Sequence, residues 1–231
     1  MKATCLIKSV LTLTCFVLGT MSARPAPPAG LENIEWCDIW MAHANETNQP
    51  RVLLIGDSIT RAYYDKVESR LAGRAFVGRL ATSAFISDPV LLQEITMTLD
   101  EYPCDVVHFN NGMHGWQHTE AEYQAAFPKF SETIKAHAPH AKLIWANTTS
   151  LKVSPPVTPG DHASATDERI DARNRIALGF IEADGLAVDD LNSLTRGRPD
   201  YHSDNVHFND AGTDLQARQV AGQIERALGI R

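Results

Sequence analysis

Two patterns of apolar and polar positions alternate along residues 51–228. Short apolar runs without alternation are typical of strands that are buried on both faces of a parallel sheet. Each run is followed by a segment whose apolar residues recur at helical spacing. The strand-like runs cover residues 52–55, 75–80, 105–111, 142–148 and 187–191. This order predicts an α/β fold: a flavodoxin-like three-layer α/β/α sandwich whose five-stranded parallel sheet has the strand order 2-1-3-4-5.

Two segments lie outside this alternation. Trp36 and Trp40 are four residues apart, a spacing that favours a short helix within residues 31–50, packed on the domain. Residues 149–166 contain three prolines and no periodic pattern. A loop of this length beside the end of a strand is usually functional, so we expect it to border the site.

The first strand-like run ends in Gly56-Asp57-Ser58, just before a helical pattern begins. A serine placed there lies near the first amides of a helix, where developing negative charge is stabilised. Near the other end of the chain, Asp204 and His207 stand three residues apart on a polar loop. A histidine can take the proton of a serine hydroxyl when a carboxylate holds its tautomer. Each motif also has an ordinary explanation when it is taken alone. The serine would then be a helix cap, and the Asp and His would be solvated surface residues.

Gly-Asp-Ser early and Asp-x-x-His late, in this order, resemble the SGNH/GDSL hydrolase family, a superfamily of serine esterases and lipases. The resemblance covers roughly residues 51–225, nearly all of the expected mature chain. It implies a hydrolase of carboxylic ester bonds in which Ser58 is the nucleophile, His207 the base and Asp204 the residue that orients the base. It also implies an acyl-serine intermediate and no cofactor.

The same resemblance implies three donors to the oxyanion of the tetrahedral intermediate. The first is the amide of the nucleophile, Ser58. The second is a glycine amide in block two of the family, where this chain has no glycine. A backbone N–H of Ser83 or Ala84 is expected to replace it, because the side chain is not the donor.

The third donor in the family is the asparagine of a Gly-x-Asn-Asp motif. This chain reads Gly-Met-His-Gly at the corresponding place, so His114 stands where the asparagine is expected. An imidazole N–H can donate to an oxyanion, and Asn111, or with less support Asn110, is the alternative donor. Trp116 is a candidate for stacking on a sugar ring, with packing as the equally favoured alternative.

Composition and charge narrow the partners and the location. The chain has 231 residues and a net charge of −7, which argues against nucleic acid and anionic membranes as partners. Residues 1–23 read as a signal peptide, with a positive start and an apolar run too short to span a bilayer. Residues 24–50 are expected to form an N-terminal arm and residues 51–231 the hydrolase domain, secreted or periplasmic, with no membrane span after signal removal.

Cysteines and histidines suggest two further possibilities. Cys37 and Cys104 are left after processing, and the sequence leaves open whether they form a disulfide. Nine histidines, including His108, His114 and His118, raise the idea of a metal site. Their spacings match no standard zinc pattern, so no metal is expected.

These observations favour a secreted esterase that removes short acyl groups, with acetyl the leading choice, from a carbohydrate. The substrate class is accordingly a small-molecule or glycan ester. A lipolytic esterase or thioesterase of the same family is the alternative, and it needs a longer apolar groove. A non-catalytic binding module on the same fold is less favoured, because the set Ser58, Asp204 and His207 is complete.

Overall fold

The structure is a computed structural model, and it describes residues 31–155 and 165–230. The predicted signal peptide lies outside the described residues, as does part of the long loop 149–166. The strands are β1 (Cys37–Met41), β2 (Arg51–Gly56), β3 (Phe76–Thr82), β4 (Val106–Phe109), β5 (Lys142–Ala146) and β6 (Ala187–Asp189). The α-helices are α1 (Ser58–Leu71), α2 (Pro89–Glu101), α3 (Glu120–His137), α4 (Asp167–Ala183), α5 (Leu191–Thr195) and α6 (Asp210–Leu228). A short 3₁₀ helix covers Pro199–Tyr201.

The described strands form one sheet in the order β1-β3-β2-β4-β5-β6. Strands β2 to β6 are mutually parallel, and their order confirms the predicted 2-1-3-4-5 arrangement. The sheet has six strands rather than the predicted five, because β1 adds to it antiparallel to β3. The α/β sandwich is therefore confirmed, while the count of five and the all-parallel character are wrong.

Strand β1 also replaces the helix predicted within residues 31–50. Trp36 precedes the strand and Trp40 lies on it, 55% exposed, so their spacing reflects no common helical face. The strand pairs with the open edge of β3, where unpaired backbone groups would otherwise face solvent. The predicted arm is thus, in part, an element of the sheet, and this docking brings its N-terminal residues to the loop after β3.

The alternation of side chains along the central strands builds two cores. In β2, Val52 and Leu54 face helices α1 and α6, while Leu53 and Ile55 face helices α2, α3 and α4. All four are buried, as expected for a central strand covered on both faces. This packing fixes the carboxyl end of β2, where Ser58 begins α1.

Cys37 and Cys104 are free, so the disulfide left open by the sequence is absent from the structure. Cys37 pairs with Thr82 at the carboxyl end of β3, whereas Cys104 lies just before the amino end of β4. Because the two strands are parallel members of one sheet, these ends lie on opposite sides of the molecule.

Among the described residues, no helix has the length and apolarity needed to cross a membrane.

Candidate active site

The nucleophile candidate lies on a tight connection between β2 and α1. Asp57 caps the helix, its carboxylate accepting from the backbone N–H of Ile59 at 2.8 Å. Gly56 has no room for a side chain, since a Cβ would come within 2.1 Å of the Thr60 hydroxyl oxygen. Ser58, the first residue of α1, therefore has an amide without an intrahelical partner, directed from a helix N-terminus.

The base candidate is built by a short loop before α6. One carboxylate oxygen of Asp204 accepts from the backbone N–H groups of Val206 and His207, at 2.8 and 2.7 Å. The other oxygen lies 2.8 Å from Nδ1 of the His207 ring. The loop is closed behind the ring by Ser203, whose N–H donates to the His207 carbonyl at 2.9 Å. Asp204 thus orients both the backbone and the ring of His207.

The structure brings Ser58, Asp204 and His207 together. Nε2 of His207 lies 2.9 Å from the Ser58 hydroxyl oxygen, across 149 positions of sequence. Since an ionised carboxylate can only accept, we assign the Nδ1 proton to the bond with Asp204, which leaves the Nε2 lone pair facing the Ser58 hydroxyl. This is the geometry that general-base activation of a serine requires.

Asp204 is held in its charged form. The backbone N–H of His207 comes first among the causes that hold the pKa of Asp204 down to about 2, followed by the N–H of Val206 and the His207 ring. The carboxylate is therefore ionised near neutral pH. It can stabilise the imidazolium that forms when His207 accepts a proton.

The two amides expected to replace the block-two glycine are both engaged. The Ser83 N–H donates to the Trp36 carbonyl at 3.1 Å, so its oxyanion role stays a prediction and requires that this bond to the docked arm be given up. The Ala84 N–H donates to the Thr82 hydroxyl at 3.2 Å, a long bond within one turn of chain. Ala84 is the better of the two candidates, since only a local side-chain bond has to be exchanged.

The asparagines after β4 hold neighbouring loops together. Asn110 donates to the Ala146 carbonyl at 2.7 Å, and Asn111 donates to the Ala84 carbonyl at 2.9 Å. Both side chains are buried. The Nδ2 group of Asn111 keeps a second hydrogen, so its oxyanion role stays a prediction, but its observed contact is structural.

His114 contacts the N-terminal arm. Its Nδ1 lies 3.0 Å from a carboxylate oxygen of Glu32, and the same oxygen accepts from the Gly115 N–H at 3.2 Å. Within the described residues, Nε2 of His114 has no hydrogen-bond partner. This nitrogen is therefore free to meet a substrate atom, as are the Ser58 amide and the second Nδ2 hydrogen of Asn111.

A buried arginine of α4 shapes the loop that carries His114. Arg173 is fully buried, and burial lowers its pKa to about 10. Its guanidinium lies over the Trp116 ring, 4.1 Å from the centroid. It donates over 2.8 to 3.3 Å to four carbonyls of one loop, those of Gly112, His114, Gly115 and His118. The loop conformation therefore depends on a cation packed inside the domain.

Trp116 packs against the guanidinium groups of two arginines. Arg173 covers its ring, a second guanidinium, that of Arg169, lies 5.2 Å from the centroid, and Arg169 also donates to the Trp116 carbonyl at 2.8 Å. The structure thus supports the packing alternative, and stacking on a sugar stays a prediction.

The contacts of Glu32 and Arg173 with the His114 loop were not predicted from the sequence. Arg173 had a usable signal, because it interrupts the apolar stripe of α4 between Ile170 and Ala177. Glu32 had none, since it lies in a segment without periodicity and contacts a residue 82 positions away.

The histidines that suggested a metal have separate partners. His108 is completely buried and pairs with Asp189 at 2.9 Å, while His118 stacks on Phe85 with centroids 4.4 Å apart. His114 pairs with Glu32. In the part of the chain that the structure describes, no three His, Cys, Asp or Glu side chains form a group suited to a metal ion.

Residues 54–215 match the model of the GDSL-like Lipase/Acylhydrolase family, about 70% of the chain. The match includes Ser58, His114, Asp204 and His207 and excludes the N-terminal arm. A search among curated proteins found no match.

Several solved structures share the fold. The carbohydrate esterase family 3 protein of Talaromyces cellulolyticus is 16% identical, with a TM-score of 0.64 over 79% of this chain and 100% of its own. A GDSL-like lipase of Bacteroides thetaiotaomicron is 16% identical, with a TM-score of 0.61 over 77% and 89%. An acetyl esterase variant with an acetate ion is 16% identical, with a TM-score of 0.60 over 78% and 99%. At these identities the likeness establishes the fold alone.

Proposed function

Because the chain belongs to the GDSL-like lipase and acylhydrolase family, and is thus a hydrolase of ester bonds, we propose that it is a secreted serine esterase that removes short acyl groups, acetyl first among them, from carbohydrates. The observation that carries the proposal is the continuous hydrogen-bonded chain from Ser58 through His207 to Asp204, with distances of 2.9 and 2.8 Å.

In the proposed mechanism, Ser58 Oγ attacks the acyl carbonyl carbon while His207 Nε2 takes the hydroxyl proton. The carbonyl oxygen becomes an oxyanion beside the Ser58 amide at the start of α1. Collapse of the intermediate breaks the bond to the alcohol, which leaves with the proton from His207, and the acyl group stays on Ser58. Water, deprotonated by His207, then attacks the acyl-serine, and the acid and free Ser58 are released.

Two small cavities flank the candidate site, and neither is lined by Ser58 or His207. The cavity next to the loop of His114, lined by residues such as Glu32, Ser83, Phe85 and His118, has a volume of about 80 Å³. The pocket behind Asp57 holds about 10 Å³. Both are small against the roughly 300–1,000 Å³ of sites for larger ligands, so neither offers a long acyl chain a deep apolar groove.

The proposed carbohydrate substrate and the proposed export of the protein have separate support. The fold neighbours include a carbohydrate esterase and an acetyl esterase, which makes a sugar ester a reasonable first substrate to test. Export is supported by the positive start and apolar run of residues 1–23. The acidic net charge of −7 is compatible with a neutral glycan substrate.

A substrate panel tests this function. We expect p-nitrophenyl acetate to be hydrolysed with the highest kcat/KM, with falling values for butyrate, octanoate and laurate, and we expect acetate release from acetylated glycans. Ser58→Ala is the control for contaminating esterase. A maximum at octanoate or laurate would favour the lipolytic alternative, and activity confined to thioesters would favour a thioesterase.

His114→Ala tests the third oxyanion donor. A donor that meets charge only in the transition state should affect turnover and leave KM nearly unchanged. We expect kcat to fall roughly 10²-fold, about 2.7 kcal/mol of transition-state stabilisation, and His114→Asn to recover part of the loss. Steady-state kinetics and thermal unfolding of both variants provide the measurement. Normal kcat with a lowered Tm would assign His114 to packing, and a loss on Asn111→Ala alone would transfer the role to Asn111.

A further inference from the structure

Glu32 of the N-terminal arm joins two parts of the candidate oxyanion loop. A single carboxylate oxygen contacts the Nδ1 atom of His114 and accepts from the Gly115 N–H, at 3.0 and 3.2 Å. Glu35, three residues further along the arm, accepts from the Glu32 N–H at 2.6 Å and from the Ser83 hydroxyl at 2.7 Å. The arm thus reaches the loops after β3 and β4 through two carboxylates.

This contact decides what the other nitrogen of His114 can do. An ionised carboxylate only accepts, so the Nδ1 atom facing Glu32 must carry a proton. In a neutral ring the proton is then on Nδ1, and Nε2 has a lone pair that cannot stabilise an oxyanion. Nε2 becomes a donor only when the ring is an imidazolium, in which both nitrogens carry protons.

We infer that Glu32 is a positioning residue that holds His114 as an imidazolium, so that its Nε2–H is a cationic donor to the oxyanion. This rests on the proposed ester hydrolysis. A donor with full charge forms a hydrogen bond roughly twice as strong as a neutral one. Because the family match begins at residue 54, the residue that completes the site would come from outside the matched segment.

The charges around His114 favour this state. The groups that face it are Glu32 and Glu35 on the arm, Asp57 before α1, Arg173 on its own carbonyl, and Arg61 across the Trp36 ring. Burial of the ring acts to lower the pKa of His114, but the hydrogen bond to Glu32 and the three carboxylates outweigh it and raise the pKa. The same hydrogen bond, as the largest cause, lowers the pKa of Glu32.

A protonated His114 would make kcat depend on pH. The proposed donor needs a protonated His114, so kcat should fall on the alkaline side as His114 loses its proton. The carboxylate of Glu32 keeps this alkaline limb at higher pH, because it stabilises the protonated ring. Removing that charge should move the alkaline limb of kcat to lower pH without moving the acid limb.

Glu32→Gln tests this in the full chain with p-nitrophenyl acetate. The amide oxygen can still accept from Nδ1–H, but the charge is gone. We expect the ratio of wild-type to variant kcat to grow about tenfold between about pH 6 and about pH 9, with KM nearly unchanged. Glu46→Gln is the matched control, since it removes a carboxylate of the same arm that pairs with His43, far from His114. Equal alkaline limbs in both variants would overturn the inference.

His114→Asn provides an independent arm of the test. An amide donor needs no protonation, so this variant should lose the alkaline limb, and adding Glu32→Gln to it should change nothing further. An alkaline limb that persists in His114→Asn would assign the limb to another group and refute the inference.

Ring ¹⁵N NMR measures the charge of His114 without enzyme activity, with the signal assigned by its loss in His114→Asn. We expect the ring to titrate at lower pH in Glu32→Gln than in wild type. A His114 that is neutral near pH 7 in the wild type would contradict the inference, whatever the substrate. Absence of all ester hydrolysis, with His114 charged, would instead count against the proposed function alone.

Discussion

Ser58→Ala is expected to abolish measurable ester hydrolysis, a loss of roughly 10⁵- to 10⁶-fold in kcat. The reason is geometric: the Ser58 hydroxyl is the group that faces Nε2 of His207, at 2.9 Å. The protein should fold normally, because the side chain is only half-buried and loses one hydrogen bond, worth about 1 kcal/mol.

The measurement is steady-state hydrolysis of p-nitrophenyl acetate, together with mass spectrometry of a trapped acyl-enzyme. The wild type should show an acyl adduct on Ser58 at short times, and the variant none. Ser69→Ala is the matched control, since it makes the same change at an exposed position of the same helix. Activity of Ser58→Ala within roughly tenfold of wild type, with contaminating esterase excluded, would refute the assignment of the nucleophile.

His207→Ala is expected to lower kcat by roughly 10⁵-fold, close to the loss in Ser58→Ala, because an unassisted serine hydroxyl is a poor nucleophile. Asp204→Asn should cost less, roughly 10⁴-fold, since it disturbs the tautomer and orientation of the base but leaves the base in place. His140→Ala, at an exposed position beyond α3, is the control for a lost imidazole.

The double variant distinguishes two residues that act together as one catalytic unit from two residues that act independently. If Asp204 acts through His207, adding Asp204→Asn to His207→Ala should cause little further loss. The readout is kcat of the three variants on one substrate, with thermal unfolding to confirm the fold. Losses that multiply in the double variant would show that the two residues act separately.

The local parts of the site could be predicted from the sequence. The run before Ser58 has the unbroken apolar character of a central strand, and the turn at Gly56 follows directly. Asp204 and His207 are three residues apart, so a single loop determines their contact. The alternation of strand and helix patterns likewise sufficed for the order of the five parallel strands, because right-handed crossovers leave few alternatives.

The surroundings of the site depended on contacts that no local pattern encodes. Strand β1 forms because β3 has an open edge, a property of the assembled sheet and not of residues 37–41. Its docking engages the Ser83 amide and brings Glu32 to His114, two contacts of candidate oxyanion donors that the sequence did not predict.

The sequence by itself thus determined the fold class, the family and the three residues proposed for catalysis, because strand, turn and loop signals are short-range or joined by one motif. Only the tertiary structure showed which contacts the candidate oxyanion donors already make. Arg173 folds the His114 loop around itself from 61 positions away, and Glu32 reaches it from 82. Such contacts arise only when separate layers pack, since burying a guanidinium or a carboxylate is favourable only where the partners are already in place.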